Sequence, residues 1–533
     1  MKEMIANWAL LVAGLFDFAV MLRWDMQMLQ QNSYYNGRYW RWLTTSDELT
    51  TPKRLVTWAV LIGSLTTYAR QSYLVIGLLA VVLVVQAIML LRKKYKKPLV
   101  FTNRVKRLYF TIIVLVLIAI EVAGYLASGT SKTHAAYVSA IVALIALAAS
   151  PLLTVAGNWL LHPVEKAINN RYINDAKNRL AQMSDLTVIG ITGSYGKTST
   201  KHYLNRILSE HFSVLMTPGS YNTTMGVVRT VREMMQPYNQ IFICEMGAKN
   251  IGDIKEICDI AHPSIGIVTA VGPQHLESFK TIANVQRTKF ELVDALPADG
   301  LAVLNNDFAD VANREVTNVA AQRYTVNKTA QADFWAEDVR YSARGTEFTI
   351  VSKQGKRLTL ETKLVGECNI SNLIAAVAVA WHLGVPDDKI RYAVSRIEQV
   401  EHRLNMKRGG NGITIIDDAY NSNPVGSRMA LDVLKGMNTG KRIVITPGMI
   451  ELGDEQQRLN TEFGEHIAEC CDIAIIVGQY NREAIVTGIK NKGFDERNLH
   501  IVDTFDQGQQ LMLTLAGAGD TVLYENDLPD AFK

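Results

Sequence analysis

Cysteine is scarce in this sequence, and its scarcity excludes two classes of protein. Five cysteines occur among 533 residues, and they are Cys244, Cys258, Cys368, Cys470 and Cys471. Their spacing matches no metal-binding motif, and they are too few for the disulfide framework of a small secreted domain. We therefore expect a reducing compartment, and we expect the adjacent Cys470 and Cys471 only to end a helix.

A cleavage site for a signal peptidase is also lacking. The first apolar run is followed by the bulky Arg23, Trp24 and Asp25, where small residues would be needed. This run is therefore not predicted to be a removable leader. The bulk composition excludes little, because the net charge is only +4 and hydrophobic residues make up 48% of the chain. The length allows roughly three or four domains.

The clearest motif is a glycine-rich loop between an apolar strand and a helix. Gly193 and Gly196 follow the strand 186–192, and Lys197 and Thr198 open the helix. The backbone N–H groups of such a loop attract phosphate, the lysine supplies a cation, and the threonine hydroxyl can bind Mg²⁺. The spacing differs from the usual phosphate loop, because the first glycine stands one residue early, at 190.

Residues 1–162 contain five apolar runs that approach the length of a bilayer span. We place these runs at 4–22, 55–70, 73–91, 108–128 and 135–161. The first contains Asp17 and the second is short, so either could lie at the interface or form a re-entrant hairpin. Glu121, in the fourth run, is expected to pack against a partner or to end the span.

The loop between the third and fourth runs is strongly basic. Eight of the sixteen residues 92–107 are lysine or arginine, which predicts a loop on the cytoplasmic side. We expect it to contact anionic lipid headgroups rather than nucleic acid, because apolar runs flank it. Counting spans from this loop places the N-terminus outside and the phosphate loop in the cytoplasm, where ATP is.

Strand and helix patterns alternate after residue 186, which predicts two mostly parallel sheets covered by helices. In the first sheet, strands are expected at 241–245, 265–269 and 301–304, with an antiparallel extension within 323–366. A second set begins at 413 and predicts a smaller Rossmann-like sheet. Residues 163–185 are expected to form an amphipathic helix that connects the membrane region to these sheets.

Polar side chains follow the strands of the first sheet. Glu245 ends one strand, His275 and Asn305 follow the next two, and Lys289 lies on a helix between them. Each alone has an ordinary explanation, such as a solvated strand end, a packed histidine or an exposed lysine. Their order behind a phosphate loop favours a nucleotide site, because ligands bind at the carboxyl ends of parallel strands.

This order of motifs resembles the Mur ligase family, the ATP-dependent amide-bond ligases of cell-wall precursor synthesis. The resemblance covers about 186–525 and is greatest to the subgroup that adds D-alanyl-D-alanine to a UDP-N-acetylmuramoyl tripeptide. It rests on segments 191–198, 220–226 and 417–424. The implied fold class is α/β: an all-α membrane region (1–162), a connector (163–185), a P-loop ATP-binding domain (186–400) and a C-terminal Rossmann-like domain (401–533).

The resemblance implies ATP and two Mg²⁺ ions as cofactors, and it assigns roles to particular residues. Catalysis would fall to Lys197, His275, Lys289 and Arg403. Mg²⁺ would be bound by Thr198, Glu245, His275 and a carbamylated Lys289. The nucleotide would contact Gly193, Ser194, Gly196, Lys197, Thr198, Ser199, Asn305, Arg403 and Asp418. The substrate would contact Asn222, Thr223, Tyr420, Asn421 and Asn423. A carbamate suits Lys289, because a bare ammonium would repel Mg²⁺.

The chain departs from the family pattern at four places. Thr223 stands where asparagine is usual, Cys368 replaces a histidine, and Gly448 replaces an aspartate. Residues 525–530 occupy the position of a Lys-Gly-Ser stretch. These changes leave the identity of the amine substrate open.

The implied reaction is attack of a substrate carboxylate on the γ-phosphate of ATP, followed by displacement of phosphate by an amine. A membrane region stands where the family has a uridine-nucleotide-binding domain. We therefore expect a multi-pass protein of the bacterial inner membrane with cytoplasmic catalytic domains. Its acceptor would be a muramoyl peptide or a lipid-linked cell-wall precursor, and its membrane helices would contact lipid or a cell-wall synthesis partner.

Three alternatives remain open from the sequence. The ligase could add another amino acid to a lipid-linked or polymeric acceptor, as polyglutamate-type ligases do. It could be a nucleotide-binding scaffold without turnover, as the substitutions at Thr223, Cys368 and Gly448 would allow. A transporter gated by a nucleotide-binding domain is disfavoured, because the sequence lacks an acidic pair after a strand and a dimer signature loop.

Overall fold

The structure is a computed structural model that describes residues 1–68, 72–93, 95, 97–342, 345–400, 403–419, 422–437 and 439–527. The chain divides into two compact units, and their described parts are residues 1–169 and 170–527. The first unit is entirely helical, and the second is α/β with two sheets. The predicted fold class is therefore confirmed.

Seven α-helices and a short 3-10 helix (Glu48–Thr50) make up the described part of the first unit, and the last α-helix continues into the second unit. The α-helices are α1 (Lys2–Gln31), α2 (Asn36–Thr45), α3 (Pro52–Tyr68), α4 (Tyr73–Arg92), α5 (Asn103–Ala127), α6 (Lys132–Ala148) and α7 (Ser150–Ala181). By length and composition, α1, α4 and α5 could each cross a membrane, and the bent pair α6–α7 adds a fourth candidate. The described part of α3 has 17 residues, and the end of the second predicted run, 69–70, lies outside the described residues.

The predicted fifth span and the predicted connector do not have the expected boundaries. Helices α6 and α7 meet at an angle of 77°, so residues 135–161 do not form one straight span. Pro151 lacks an N–H to continue α6, and proline is favoured in the first turn of a new helix. Helix α7 then runs through Pro163 to Ala181, so no separate connector helix begins at 163.

The outward faces of α4 and α5 are apolar. Their exposed large side chains include Leu74, Leu78, Val81, Met89, Phe110, Ile118, Tyr125 and Leu126. Apolar patches of this extent on a protein surface are typical of contact with lipid or with another apolar surface. Placement in a membrane remains a prediction.

A buried polar cluster holds the helices of the first unit together. Arg54 pairs with Asp25 at 2.5 Å and donates to Ser150 Oγ at 2.8 Å, while Ser150 donates to Asp25 at 2.6 Å. The Tyr39 hydroxyl adds a third donor to Asp25, at 3.0 Å. Removing one member of such a cluster leaves a buried unpaired charge, which costs about 3–5 kcal/mol. No pattern in the sequence predicted this cluster.

The two acids noted in the apolar runs have different surroundings. Asp17 is fully buried and accepts a hydrogen bond of 2.8 Å from Gln86 Nε2. Glu121 is exposed on α5. Asp17 therefore lies inside the helical packing of the first unit, whereas Glu121 lies on its surface.

The larger sheet of the second unit has nine strands. They are β1 (Thr187–Thr192), β2 (Val214–Met216), β3 (Ile241–Glu245), β4 (Ile265–Val268), β5 (Leu301–Asn305), β6 (Ala320–Tyr324), β7 (Phe334–Ser342), β8 (Gly345–Ser352) and β9 (Arg357–Thr362). Their order is β2-β3-β1-β4-β5-β6-β7-β8-β9, with parallel pairing as far as β7 and antiparallel pairing beyond it. The predicted strands and the antiparallel extension are confirmed.

Helices cover both faces of this sheet, so each face has its own apolar core. They are α8 (Lys197–Leu208), α9 (Thr224–Met234), α10 (Asp253–Ala261), α11 (Leu276–Phe279), α12 (Ile282–Asp294), α13 (Ala309–Ala312), α14 (Glu367–His382) and α15 (Asp387–Ser395). Burial on both faces explains why the inner strands are continuously apolar. We call residues 187–395 the large-sheet domain.

The smaller sheet has six strands, and we call residues 405–527 the small-sheet domain. Its strands are β10 (Asn405–Arg408), β11 (Thr414–Asp418), β12 (Arg442–Thr446), β13 (Ile473–Val477), β14 (Leu499–Val502) and β15 (Thr521–Glu525). Their order is β10-β11-β15-β12-β13-β14, and all but β10 are parallel. The helices are α16 (Pro424–Lys435), α17 (Gln456–Cys470), α18 (Arg482–Asn491) and α19 (Phe505–Leu515). The predicted Rossmann-like sheet is confirmed.

Candidate active site

The glycine-rich loop joins β1 to α8, and both of its glycines are required by close packing. A Cβ on Gly193 would lie 2.1 Å from Thr269 Oγ1, and a Cβ on Gly196 would lie 2.5 Å from Asn372 Oδ1. Gly196 also adopts φ of 78°, in the left-handed region, where it precedes α8. Among the described residues, no side chain caps this helix. Its first-turn N–H groups are therefore available to an anion.

Ser194 and Ser199, both predicted to contact the nucleotide, lie in the loop and in the first turn of α8. The Ser194 N–H donates to Ala270 O at 2.8 Å, and its hydroxyl exchanges hydrogen bonds of 3.1 Å with Gly272. Ser194 therefore ties the loop to the end of β4. Ser199 is buried in the first turn of α8. A contact with the nucleotide remains a prediction for both residues.

Glu245, at the end of β3, is the centre of a buried cluster. Its Oε1 accepts hydrogen bonds from Thr198 Oγ1 at 3.1 Å and Asn222 Nδ2 at 3.0 Å. Lys201 Nζ lies 2.8 Å from its Oε2. Burial alone would raise the pKa of Glu245, but Lys201 holds that pKa below its usual value. A carboxylate and a hydroxyl facing one point are suitable Mg²⁺ ligands.

Sequence reasoning missed Lys201, although a signal for it existed. Lys201 follows Lys197 by four residues on a helix, so the two side chains lie on one face. Lys201 is fully buried and also donates to Gly219 O at 2.7 Å. It links the phosphate-loop helix to the loop before α9.

Thr223, predicted to contact substrate, caps α9. Its hydroxyl accepts a hydrogen bond of 3.3 Å from the Gly226 N–H. Asparagine and threonine both form such caps. Threonine at 223, where the family usually has asparagine, is therefore compatible with the same helix cap. The neighbouring Asn222 donates its hydrogen bond to Glu245.

His275 lies at a contact between the two sheet domains. Its Nδ1 contacts the Glu451 carboxylate, and Lys249 Nζ lies 2.9 Å from the other oxygen of Glu451. Burial lowers the pKa of His275, and the bond to Glu451 opposes this effect only in part. Burial would raise the pKa of Glu451, but His275 and Lys249 lower it. With Nδ1 on Glu451, Nε2 is the nitrogen left for a metal ion.

Lys289, on α12, is almost completely buried, with 1% of its surface exposed. Its Nζ lies 5.9 Å from the centroid of the Phe279 ring. Burial lowers the pKa of Lys289 well below its usual value, and the charge of Lys197 lowers it further. A neutral amine is the form that reacts with carbon dioxide to give a carbamate. The environment of Lys289 therefore suits the predicted modification.

Lys197 itself is held against the loop. Its Nζ donates to Ser194 O at 3.2 Å and to Gly193 O. Burial lowers the pKa of Lys197 to about 8, and the nearby Arg403 also lowers it. Arg403 and Thr198 line one cavity of about 710 Å³, together with residues of α8 and of the segment 396–400. The structure thus brings Arg403 to the phosphate loop, as predicted.

Asn305 is already fully engaged in hydrogen bonds within the protein. Its Nδ2 donates to Thr269 O at 2.8 Å and to Ser371 Oγ at 3.1 Å, and its Oδ1 accepts from the Asp307 N–H at 3.0 Å. In this arrangement Asn305 fixes the ends of β4 and β5. A contact with adenine remains a prediction for this residue.

The half-buried Asp418 and the fully buried Glu525 form a pair of carboxyl groups. They are neighbours in the register of β11 and β15. Burial raises the pKa of Asp418 to about 6 and raises that of Glu525 well above its usual value, and each carboxyl also affects the other. Ser422 donates a hydrogen bond to Glu525. Sequence reasoning noted the departure at 525 but missed this pairing, which follows from the adjacency of the two strands.

The remaining predicted substrate contacts are only partly described. Asn423 caps α16, with its Oδ1 accepting from the Gly426 N–H at 2.7 Å. Tyr420 and Asn421 lie outside the described residues. Cys368 lies at the start of α14, and burial raises the pKa of its thiol to about 12.

We expect Glu525→Gln to stabilise the protein at alkaline pH. Carboxyls whose pKa is raised on folding favour the fold fully below their unfolded pKa, and this contribution is lost as pH rises through the folded pKa. For Asp418, this stabilising contribution is lost between pH 3.8 and about pH 6, its unfolded and folded pKa values. At pH 8 the variant should be more stable by about 1 kcal/mol or more. Thermal unfolding at pH 5 and pH 8 measures the effect.

The matched control for this prediction is Glu496→Gln, because Glu496 forms an exposed pair with Lys490. Its unfolding temperatures should equal those of the unchanged protein at both pH values. An unfolding temperature for Glu525→Gln at pH 8 below that of the unchanged protein would contradict the assigned pair.

We expect Glu451→Gln to loosen the contact between the sheet domains. The carboxylate binds both His275 and Lys249, and hydrogen bonds to charged groups are worth about 1.5–3 kcal/mol. Amide hydrogen exchange in α11 should therefore become about tenfold faster or more, as measured by mass spectrometry. Glu455→Gln is the control, since Glu455 pairs with the exposed Arg458 instead. Equal exchange in both variants would argue against the contact.

Comparison with known proteins places these two domains among relatives. The model of the Mur ligase middle domain matches residues 191–380. The model described as "Mur ligase, glutamate ligase domain" matches residues 402–524. The two matches correspond to the large-sheet domain and the small-sheet domain.

Two curated relatives, from Escherichia coli and Bacillus subtilis, are both named UDP-N-acetylmuramoyl-tripeptide–D-alanyl-D-alanine ligase. The chain is 31% identical to that of Escherichia coli (strain K12) over 280 residues, which cover 52% of this chain and 61% of the relative. It is 29% identical to that of Bacillus subtilis (strain 168) over 283 residues, covering 53% and 60%. The chain thus spans about 60% of the length of these relatives.

Solved structures of MurF proteins are similar to this chain as well. MurF from Acinetobacter baumannii is similar with a TM-score of 0.61 and 26% identity, over 67% of this chain and 77% of that one. The MurF ligase from Thermotoga maritima in complex with ADP has a TM-score of 0.61 and 24% identity, over 67% and 80%. The second of these similarities concerns the fold alone.

Proposed function

The chain belongs to the Mur ligase family, whose middle and C-terminal domains it contains, and from this premise we propose that it is an ATP-dependent ligase. It joins a carboxylic acid to an amine through an amide bond. The observation that supports this most is the cluster at the carboxyl ends of β1 and β3. There the phosphate loop, the Thr198 hydroxyl and the Glu245 carboxylate meet at hydrogen-bond distance.

The residues of this cluster fit a nucleotide and a divalent cation. The uncapped start of α8 and Lys197 bind phosphate oxygens, and Lys197 and Arg403 offset charge on the transferred phosphoryl group. Thr198 and Glu245 would hold Mg²⁺, which supplies neutralisation of phosphate charge. His275 through Nε2 and a carbamate on Lys289 would hold a second Mg²⁺. Lys201 keeps Glu245 ionised and in place.

The two chemical steps need alignment more than acid–base chemistry. In the first, a substrate carboxylate oxygen forms a bond to the γ-phosphorus of ATP while the bond to ADP breaks. In the second, an amine forms a bond to the acyl carbon, and inorganic phosphate leaves with the acyl C–O bond pair. The contact between His275 and Glu451 keeps the small-sheet domain on the site, which favours approach of the amine.

For the acceptor, we propose a cell-wall precursor presented at the membrane. The relatives act, by name, on a UDP-N-acetylmuramoyl tripeptide and D-alanyl-D-alanine. In this chain a helical unit with apolar outward faces precedes the ligase domains. A lipid-linked muramoyl peptide would meet such a protein at the inner membrane, with the ligase domains in the cytoplasm. The amine is D-alanyl-D-alanine or another amino acid.

Phosphate release tests the proposed function. Full-length protein in lipid nanodiscs is given ATP and Mg²⁺, a muramoyl tripeptide in either UDP-linked or lipid-linked form, and a panel of amino acids and dipeptides. We expect release only when acid and amine are both present, and faster release with the lipid-linked acid. Equal rates with the two acids would contradict the proposal of a lipid-linked acceptor. Phosphate release without an amine would contradict the proposal that the protein is a ligase.

The scaffold alternative predicts a different result. A scaffold would bind ATP at the same loop but release no phosphate with any acid and amine pair. Two of the three residues that suggested it have structural explanations, since Thr223 caps α9 and Gly448 adopts φ of 78°. A Cβ at Gly448 would lie 2.6 Å from Asn460 Oδ1, so this position favours glycine here.

A further inference from the structure

Three metal-ligating side chains meet on the small-sheet domain, outside the site described above. Asp432 lies on α16, and His466 and Cys470 lie on α17. His466 Nε2 is 2.8 Å from Asp432 Oδ1 and 3.6 Å from Cys470 Sγ. All three ligand atoms lie within 4.8 Å of one another. A carboxylate, an imidazole and a thiol therefore face one point.

The fold explains this meeting. His466 and Cys470 are four residues apart on a helix, so both project from the same face. Helix α16 packs against α17 and brings Asp432 to that face. The expectation that Cys470 only ends a helix is therefore incomplete. Cys470 does end α17, but its sulfur faces His466, whereas the next residue, Cys471, is buried outside this cluster.

The distances agree with a tetrahedral site. Typical Zn–N and Zn–S bonds of about 2.0 and 2.3 Å, at a tetrahedral angle, separate nitrogen and sulfur by about 3.6 Å. The observed Nε2–Sγ distance is 3.6 Å. The corresponding N–O separation is about 3.3 Å, so Asp432 would move outward by about half an ångström. Its side chain is 55% exposed, which leaves it free to do so.

The surroundings of the histidine also favour a metal ligand. Glu469 Oε2 lies 3.6 Å from His466 Nδ1, on the opposite side of the ring from Asp432 and Cys470. Nε2 is hydrogen-bonded to Asp432 at 2.8 Å, so a metal ion at Nε2 would take the place of that bond. The Glu469 carboxylate beside Nδ1 would then stabilise the proton that stays on the ring. A thiolate and a carboxylate together balance the two charges of the ion. The exposed side of Asp432 leaves a fourth position and an entry path for water.

We propose that Asp432, His466 and Cys470 form a zinc site that links α16 to α17, with water as the fourth ligand. A ligand set with one sulfur and one imidazole selects Zn²⁺ over Mg²⁺, which prefers oxygen ligands. The proposed site is separate from the nucleotide site, because none of its three residues, on α16 and α17, is assigned to the nucleotide. The proposal stands whether or not the chain proves to be a ligase.

Titration with Co²⁺, a spectroscopic substitute for Zn²⁺, tests the proposal. Full-length protein in detergent, without a polyhistidine tag, is stripped with a chelator and titrated in excess Mg²⁺, which occupies oxygen-rich sites. We expect one equivalent of Co²⁺ to produce the charge-transfer absorption of a thiolate ligand, and Zn²⁺ to abolish it by displacement. Saturation without any thiolate band would overturn the proposal.

Variants of the three residues test whether they are the ligands that produce the charge-transfer band. Cys470→Ser should lose the band, and Cys471→Ser, its neighbour in the chain, should keep it. Asp432→Asn changes an exposed residue, so the protein should stay folded while Zn²⁺ binds about tenfold more weakly or worse. A band that survives in Cys470→Ser, or unchanged Zn²⁺ affinity in Asp432→Asn, would show that the metal binds elsewhere. Circular dichroism confirms that each variant is folded before titration.

Discussion

Lys197→Ala is expected to abolish turnover. The Nζ of Lys197 lies over the phosphate loop, within 3.2 Å of Ser194 O. The other lysine and the arginine on α8 are already paired, Lys201 with Glu245 and Arg206 with Glu210. Loss of a charge that stabilises the transferred phosphoryl group costs about 10²–10³ in rate at least. Phosphate release under saturating acid, amine and ATP measures the loss.

A second lysine variant separates this effect from a general loss of charge. Lys255→Ala removes an exposed lysine that pairs with Asp259 on α10, and its rate should be unchanged. Binding of ATP, measured by calorimetry, should also weaken in Lys197→Ala and stay the same in Lys255→Ala. A Lys197→Ala protein that keeps more than a tenth of the rate would show that the phosphoryl group is transferred elsewhere.

Lys289→Ala is expected to lose activity and to regain part of it when short carboxylic acids are added. The alanine variant lacks both the amine and the carbamate that would form on it. Formate or acetate can enter the space that the side chain leaves and supply the missing oxygens. Burial, and then the charge of Lys197, lower the pKa of Lys289, which favours the neutral amine that reacts with carbon dioxide. Phosphate release with and without acetate measures the rescue.

Lys289→Met provides the matched control. Methionine fills most of the space of the lysine stem, so acetate should not restore activity to this variant. A carbon-13 spectrum of the unchanged protein in labelled bicarbonate should show one carbamate signal, and both variants should lack it. Equal activity of Lys289→Ala and the unchanged protein without acetate would exclude a role for the carbamate.

The sheets could be predicted because their pattern is local. Strands such as β3 and β5 are buried on both faces, so the sequence shows short continuous apolar runs separated by helical periodicity. The phosphate loop could be predicted for the same reason, since its glycines, Lys197 and Thr198 are adjacent in the chain. Glu245 was found because it ends one of these runs.

The partners of these residues could not be predicted in the same way. Glu451 reaches His275 across 176 positions of the chain, and Glu525 reaches Asp418 only because β15 pairs with β11. Such contacts depend on strand order and on the packing of one domain against another. Lys201 is different, because its helical spacing from Lys197 was visible in the sequence.

In the helical unit, the sequence predicted the apolar runs but not their packing. The apolar runs were visible, and Pro151 marks a place where α6 can end, but the sequence does not state the angle of 77° at which α6 and α7 meet. The buried pair of Asp25 and Arg54 was also hidden, since charged residues near the end of an apolar run usually face water. Burial of both within the bundle is a property of packing, not of composition.

The bond between His275 and Glu451 has a thermodynamic consequence. The large-sheet domain provides the histidine, and the small-sheet domain provides the carboxylate. If Nε2 of that ring binds Mg²⁺, the carboxylate makes the ring a better ligand, so contact between the two domains and binding of the ion share one coupling free energy. By reciprocity, the factor by which domain contact strengthens ion binding equals the factor by which the bound ion strengthens domain contact.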